Sequence, residues 1–434
     1  MEKKQNYTIP IIVMFLLFFM IAFVTNFAGS MGVIVKNQFG TSNAVAQLGT
    51  LANFIAYACM GIPAGIILRR KGYKFTSLLA VTVGFIGVGI QFLSGYAESF
   101  AVYVAGALVA GFSMCLLNIV VNPMLNTLGG GGNRGNQLIQ WGGTINSTGG
   151  TIAPILLGYL IGGAASQASV SDAAPAMIIA MAIFAVAFVV IVLTKIPEPH
   201  LETKEMRAAK QKDAHSPLSF RHFVLGAIGI FIYVGIEVGI PATLNNYLSD
   251  TTGNGGGLSD ENAKIIGGMV AGAFMFMMLI GRIVGGAIAN KVSSKSMMIA
   301  TSIFGIILIL AAMFMPKSMT TLMPFFDSET RALMVETVPL SALLLILCGL
   351  CTSVMWPCVF NLATEGLGKY TATASGIFMM MVVGGGVLPL IQNAIADSSL
   401  GYMFSYVVPL IGLAYLCYYA LAGCKNVNTD IPVE

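Results

Sequence analysis

Ile9-Pro-Ile-Ile-Val-Met-Phe-Leu-Leu-Phe-Phe-Met-Ile-Ala-Phe-Val-Thr-Asn-Phe-Ala-Gly-Ser-Met-Gly-Val-Ile-Val35 runs without a single charge. A helix rises about 1.5 Å per residue, so roughly 20 apolar residues cover the hydrocarbon core of a bilayer. This stretch is long enough to cross, and it is the first of a dozen. Comparable stretches lie near 44–68, 75–96, 100–127, 137–163, 174–194, 222–248, 263–289, 297–316, 338–365, 374–396 and 403–424. The pattern predicts an all-α membrane protein of twelve transmembrane helices, with lipid as a constant partner. Lys3 and Lys4 before the first stretch imitate a signal peptide. The stretch is too long for one and shows no convincing cleavage site, so it reads as a retained span.

Composition agrees. Charged residues make up 9% of the 434, hydrophobic residues 56%, and mean hydropathy is +0.84. Soluble domains carry about 25% charge. The net charge of +4 is too small for a nucleic-acid surface. Fifty glycines suit close helix packing in lipid. Cys348-x-x-Cys351 has no His or second pair nearby, so it reads as packing; no metal or cofactor is expected. Gly129–Gly135 lacks the Gly-Lys-Ser/Thr ending of a phosphate loop.

The loops fix the topology. Most of the 22 Lys and Arg fall on one side: Arg69, Arg70, Lys71, Lys74, Arg134, Lys195 to Arg221, Lys291, Lys295, Lys369 and Lys425. The other side has few, and carries Asp250, Asp260, Glu261, Asp327 and Glu329. Positive charge marks the cytoplasm. Both termini are therefore expected inside a cytoplasmic (inner) membrane.

The chain also repeats itself. Gly61-Ile-Pro-Ala-Gly65-Ile-Ile-Leu-Arg69-Arg70-Lys71 ends the second span, and Gly281-Arg282-Ile-Val-Gly285-Gly286-Ala-Ile-Ala-Asn-Lys291 ends the eighth. Asn122-Pro123 in the fourth span answers Trp356-Pro357 in the tenth, and Pro154 answers Pro389. This predicts two pseudo-symmetric six-helix bundles, 1–194 and 222–434, joined by a cytoplasmic linker at 195–221. Such repeats rock around a central site in secondary transporters.

Ser353-Val-Met-Trp-Pro357-Cys-Val-Phe-Asn361-Leu-Ala-Thr-Glu365-Gly-Leu-Gly368 continues into Ser375-Gly376 and Val383-Gly-Gly-Gly386-Val-Leu-Pro389-Leu-Ile-Gln392. Tyr233-Val-Gly-Ile-Glu237-Val lies in the seventh span, and Asn122-Pro123, Leu128-Gly129 and Asn146-Ser147 in the N-terminal half. These blocks resemble the fucose–galactose–proton symporter family of the major facilitator superfamily, especially its glucose/galactose branch. The resemblance implies the major facilitator fold, alternating access and import of a neutral monosaccharide. One departure stands out. The fucose member carries an acid in the first span and a Glu in the fourth, four residues before Asn-Pro. Here the latter position is Asn118, and Gly29 to Val33 holds no acid. The N-terminal proton carriers of that member are missing.

Polar residues inside the spans mark where chemistry should lie. A sugar needs amides and a carboxylate for its hydroxyls and an aromatic face for its C–H side. Asn118, Asn122 and Asn126 share one helical face. Gln140, Asn146, Asn26, Asn361 and Gln392 are further substrate-binding candidates, and Trp356 is a candidate stacking platform. Each amide also has a plainer reading as glue between helices. Glu237, the carboxylate placed well inside a span, is expected both to bind substrate and to carry the coupling ion: a proton, or Na⁺ in the alternative. Arg69, Arg70, Arg282 and Asn245 are expected to steady gates. The chain is expected to act as a monomer importer. A sugar sensor that has lost transport is the rival class, and an uncoupled facilitator, of the same or an N-acetylated sugar, is a variant of the first.

Overall fold

The computed structural model describes residues 7–39, 48–161, 170–199, 201–202, 215–250, 252–258, 260–327 and 332–433. The linker residues 203–214, with Lys204, Arg207, Lys210 and Lys212, lie outside the described residues, as do Lys3 and Lys4. Helices occupy the apolar stretches: α1 Thr8–Phe39, α2 Leu48–Tyr96, α3 Phe100–Leu128, α4 Gly132–Ile161, α5 Ala174–Leu193, α6 Arg221–Ser249, α7 Asp260–Ile288 and α8 Ser294–Phe314. After a hairpin come α9 Leu340–Thr352, α10 Met355–Thr364, α11 Thr371–Met381, α12 Gly384–Ala396, α13 Gly401–Ser405 and α14 Val407–Tyr418. Nine helical stretches among the described residues are long and apolar enough to cross a membrane. Leu193 and Phe314 are 79% and 80% exposed. In water such faces would aggregate; in lipid they are the proper outer surface.

Four expected stretches are modified. The second stretch, from Leu48 onward, and the third form one helix, Leu48–Tyr96, interrupted at Gly72 with φ 85°. That left-handed conformation is strained for any side chain, so glycine marks the bend. The tenth stretch breaks between Thr352 and Met355, and the eleventh between Met381 and Gly384.

The segment around 317–337, expected as an outer loop, is instead largely an antiparallel hairpin, β1 Thr320–Asp327 and β2 Ala332–Pro339. Its register runs from Thr320 opposite Pro339 to Asp327 opposite Ala332. Side chains alternate as a pleat requires: Met323 and Val338 are buried while Leu322 and Val335 face out. Pro324 is tolerated because both strands of a two-stranded sheet are edges. Lys317, just before the hairpin, donates to the carbonyls of Gly253, Asn254 and Gly255 at 2.9, 3.3 and 3.0 Å.

Packing divides the chain into two compact units. The first comprises Met1–Val224, Thr364–Val382 and Asn426–Glu434; the second comprises Leu225–Ala363 and Val383–Lys425. In the first, α11 lies against α2 so closely that a Cβ on Gly61 would sit 2.5 Å from the Met380 nitrogen. Small residues permit this backbone approach. Also in the first unit, Glu198 after α5 accepts the backbone N–H of Tyr73 and Lys74, at 2.5 and 2.9 Å, where α2 resumes past Gly72. Lys74 Nζ answers by donating to the Val192 and Thr194 carbonyls at the end of α5, at 2.7 and 3.0 Å. Each helix end supplies the charge that the other's unpaired backbone groups need. Burial pushes the Glu198 carboxyl above its ordinary value, the two N–H donors opposing.

Candidate functional site

In the second unit, Tyr233 and Glu237 stand four residues apart on α6 and share a face. From α7, Arg282 brings a guanidinium to that face, with Nη2 3.5 Å from Glu237 Oε1. The Tyr233 hydroxyl faces both groups. Arg282 Nε also reaches the carbonyl of Ser353 at 3.5 Å, in the break between α9 and α10. Trp356 follows directly, its ring 6.2 Å from that of Tyr233. Placing an acid and a base inside an apolar bundle is costly unless they are paired. Here they are paired, yet Glu237 keeps 21% of its side chain open and Arg282 10%. Trp356 is likewise half-buried, whereas Tyr233 is fully enclosed. The arrangement can accept hydroxyl protons at Glu237, donate from Arg282 and offer an indole face.

The first unit has a neutral counterpart. Asn118 Nδ2 donates to the Tyr57 hydroxyl at 2.8 Å and to the Met114 carbonyl at 3.1 Å. Both its donors are engaged, so its amide oxygen is what it can still present. Asn122 is buried one turn on and donates to the Asn118 carbonyl at 2.9 Å.

The remaining candidates are scattered within each unit. Asn146 donates across to the Phe18 carbonyl of α1 at 2.8 Å, which is interhelical bonding. Asn26 donates to its own helix at Ala22, 2.9 Å. Gln140 is buried. Asn361 donates to the Ser294 hydroxyl at 2.9 Å and ties α10 to α8. Gln392 is buried against Gly239 of α6. Near the end of α6, the amide contact runs through Asn246, which donates to Asn393 at 3.1 Å, with Thr243 on the same acceptor; Asn245 is half-buried beside it. Of the expected gate residues, Arg69 pairs with Glu202 at 3.1 Å and donates to Thr373 of α11 at 3.1 Å, while Arg70 is exposed. Arg282, expected at a gate, stands beside Glu237. Sequence reasoning missed Tyr233 and Tyr57 as site residues. The four-residue spacing of Tyr233 from Glu237 was the signal for the first; nothing local pointed to the second.

Among the described residues no cluster of three His, Cys, Asp or Glu could hold a metal ion. The family model described as Major Facilitator Superfamily matches residues 13–390. The chain belongs to that superfamily. It is a multi-pass membrane transporter of the superfamily and not an enzyme. It is 30% identical over 427 residues to a glucose/galactose transporter of Brucella abortus, covering 98% of this chain and 96% of that protein. It is 22% identical to the L-fucose-proton symporter of Escherichia coli, over 96% of this chain and 94% of that one. The crystal structure of the Escherichia coli fucose:proton symporter superposes with a TM-score of 0.77 at 20% identity, over 96% of this chain and 99% of that one. At that identity the likeness is one of fold. The superfamily fold thus carries a charged pair in the second unit of this chain and an amide pair in the first.

Proposed function

We propose that this superfamily member imports a neutral monosaccharide, a hexose such as glucose or galactose or else fucose, by alternating access driven by protons. The observation that carries the reading is the Glu237–Arg282 pair beside Trp356 and Tyr233 in the second unit. It combines a hydroxyl acceptor, a donor, a stacking face and a titratable acid. Asn118 and Asn122 serve as the amide partners of the sugar, and Glu237 carries the proton. The relatives' names, glucose/galactose transporter and L-fucose-proton symporter, support the substrate class and the coupling ion. The halves 1–194 and 222–434 form two six-helix bundles, twelve spans in all, joined by the cytoplasmic linker 195–221. The protein sits as a monomer in the inner membrane; the positive loop charges support placing both termini inside. Arg69 steadies the cytoplasmic gate.

A second reading keeps the sugar but replaces the proton with Na⁺ or with no ion. It is favoured by Asn118, which is neutral where the fucose member has an acid. Purified protein in proteoliposomes decides between them. A panel of radiolabelled sugars is offered with an imposed proton gradient, a Na⁺ gradient or neither. Accumulation with the proton gradient alone supports the first reading. Accumulation only with Na⁺, or mere equilibration, replaces it with the second. Failure to move any monosaccharide ends both.

A further inference from the structure

The contact between Arg282 and the backbone of Ser353 has a cause in the sequence. In a helix each N–H bonds the carbonyl four residues back. Residue 357 is proline and has no N–H to give. The carbonyl this deprives is that of Ser353. The neighbouring bonds survive: Ser353 N to Gly349 O at 3.1 Å and Cys358 N to Val354 O at 3.2 Å. One rung is therefore missing from the ladder, and Arg282 Nε stands at it. The Ser353 hydroxyl is turned back to the Leu350 carbonyl at 2.6 Å. Gly281 brings the two backbones together, since a Cβ there would collide with the Ser353 side chain.

We propose that Pro357 is a positioning residue for ion coupling: by orphaning the Ser353 carbonyl it supplies the acceptor that holds Arg282 against Glu237. The proposal rests on the reading of Glu237 as the proton carrier and names what arms it. The guanidinium is held on two edges, Nε by a carbonyl and Nη2 by a carboxylate, which suits a planar fork and not an ammonium. Both contacts are 3.5 Å, longer than the usual 2.7–3.2 Å of a settled hydrogen bond. A contact of that length yields to a better partner. When sugar hydroxyls reach Arg282, the Glu237 carboxylate loses its counter-ion inside an apolar bundle. An unpaired buried charge is costly, and taking up a proton from the aqueous phase removes it. Among the described residues, the other titratable group set against Glu237 is Tyr233, on its own helix. On release of the sugar, Arg282 returns to Glu237 and the proton leaves. The Ser353 carbonyl, left without its helix partner by Pro357, is the acceptor that draws the guanidinium back once the sugar leaves.

The test is Pro357→Ala, which restores an N–H aimed at Ser353 and competes with Arg282 for the carbonyl. Proteoliposomes are loaded for radiolabelled D-glucose or D-galactose, whichever the parent accumulates. Proton-driven accumulation and sugar exchange at zero gradient are both measured across pH. Pro357→Ala should lose about tenfold in accumulation relative to exchange, the scale of a typical coupling between two sites, and its apparent affinity should lose its pH dependence. Arg282→Lys, which keeps the charge but not the fork, should do the same. It decides the matter if Pro357→Ala elutes as aggregate in size exclusion. Should Glu237→Gln abolish accumulation while both variants keep the parent's accumulation ratio and pH profile, the inference is overturned and the coupling reading stands. Should Glu237→Gln itself accumulate sugar normally, the reading beneath the inference is the one that fails.

Discussion

The two units solve the problem of polar groups in lipid differently. In the first, polarity within the helices is carried by amides and a phenol: Asn118, Asn122 and Tyr57 bond one another and their own backbone. The second has bonded amides too, Asn361 to Ser294 among them, but adds full charges, Glu237 and Arg282, balanced against each other. Neutral amides can bind hydroxyls but cannot change charge at any pH a cell meets. A carboxylate–guanidinium pair can, because one member accepts a proton when its partner is drawn off. Under the proposed function, both units recognise the sugar and the second carries ion coupling through Glu237. Under the same proposal, the amide at Asn118 leaves the titratable function to Glu237.

Glu237→Gln breaks the comparison most severely. It should reduce proton-driven accumulation to equilibration while exchange continues, measured in parallel in the same vesicles; undiminished accumulation would sink the assignment. Arg282→Ala leaves an acid buried without its partner and should cost about 3 kcal/mol, the low end for such breaks because part of Glu237 stays open. Thermal unfolding in detergent reads this, and the double variant Glu237→Gln with Arg282→Ala should recover most of it. Gly61→Ala overpacks the contact with α11 and should cost about 2 kcal/mol in the same assay; an unchanged melting temperature would show that the helices separate freely.

Asn122→Ala should raise the KM for sugar about tenfold, the equivalent of one good hydrogen bond, with coupling intact. A loss of coupling instead would erase the division of labour between the units. The smallest effect concerns Glu198. Its carboxyl is raised by burial, so the folded protein holds that proton more tightly than the unfolded chain. Its contribution to stability is full below the ordinary glutamate range and is lost as pH rises through the raised value. Melting temperature measured from acid toward neutral pH should therefore fall slightly less in Glu198→Gln than in the parent.

The helices were legible because lipid imposes one rule: a long uncharged run must be helical. The run Ile9–Val35 lies wholly inside α1, Thr8–Phe39. The hairpin was not legible, because strand pairing between Thr320 and Pro339 is non-local and Pro324 argues against a strand within its own segment. Glu237 stood out for its charge alone. Its partner did not, since 45 positions separate it from Arg282 and hydropathy does not say which faces of α6 and α7 meet. Asn146 and Asn361 show the converse: an amide in a span declares that it needs a partner, yet only the packing reveals whether that partner is Phe18, Ser294 or a ligand.

The chain contains two tryptophans, and one of them, Trp356, stands beside Tyr233 at the acid–base pair. Replacing Trp141 with Phe would leave a single indole whose emission comes from the heart of the second unit. Its colour and intensity would then follow hydration and ring stacking there, turning the unlabelled protein in native lipid into its own optical gauge of occupancy.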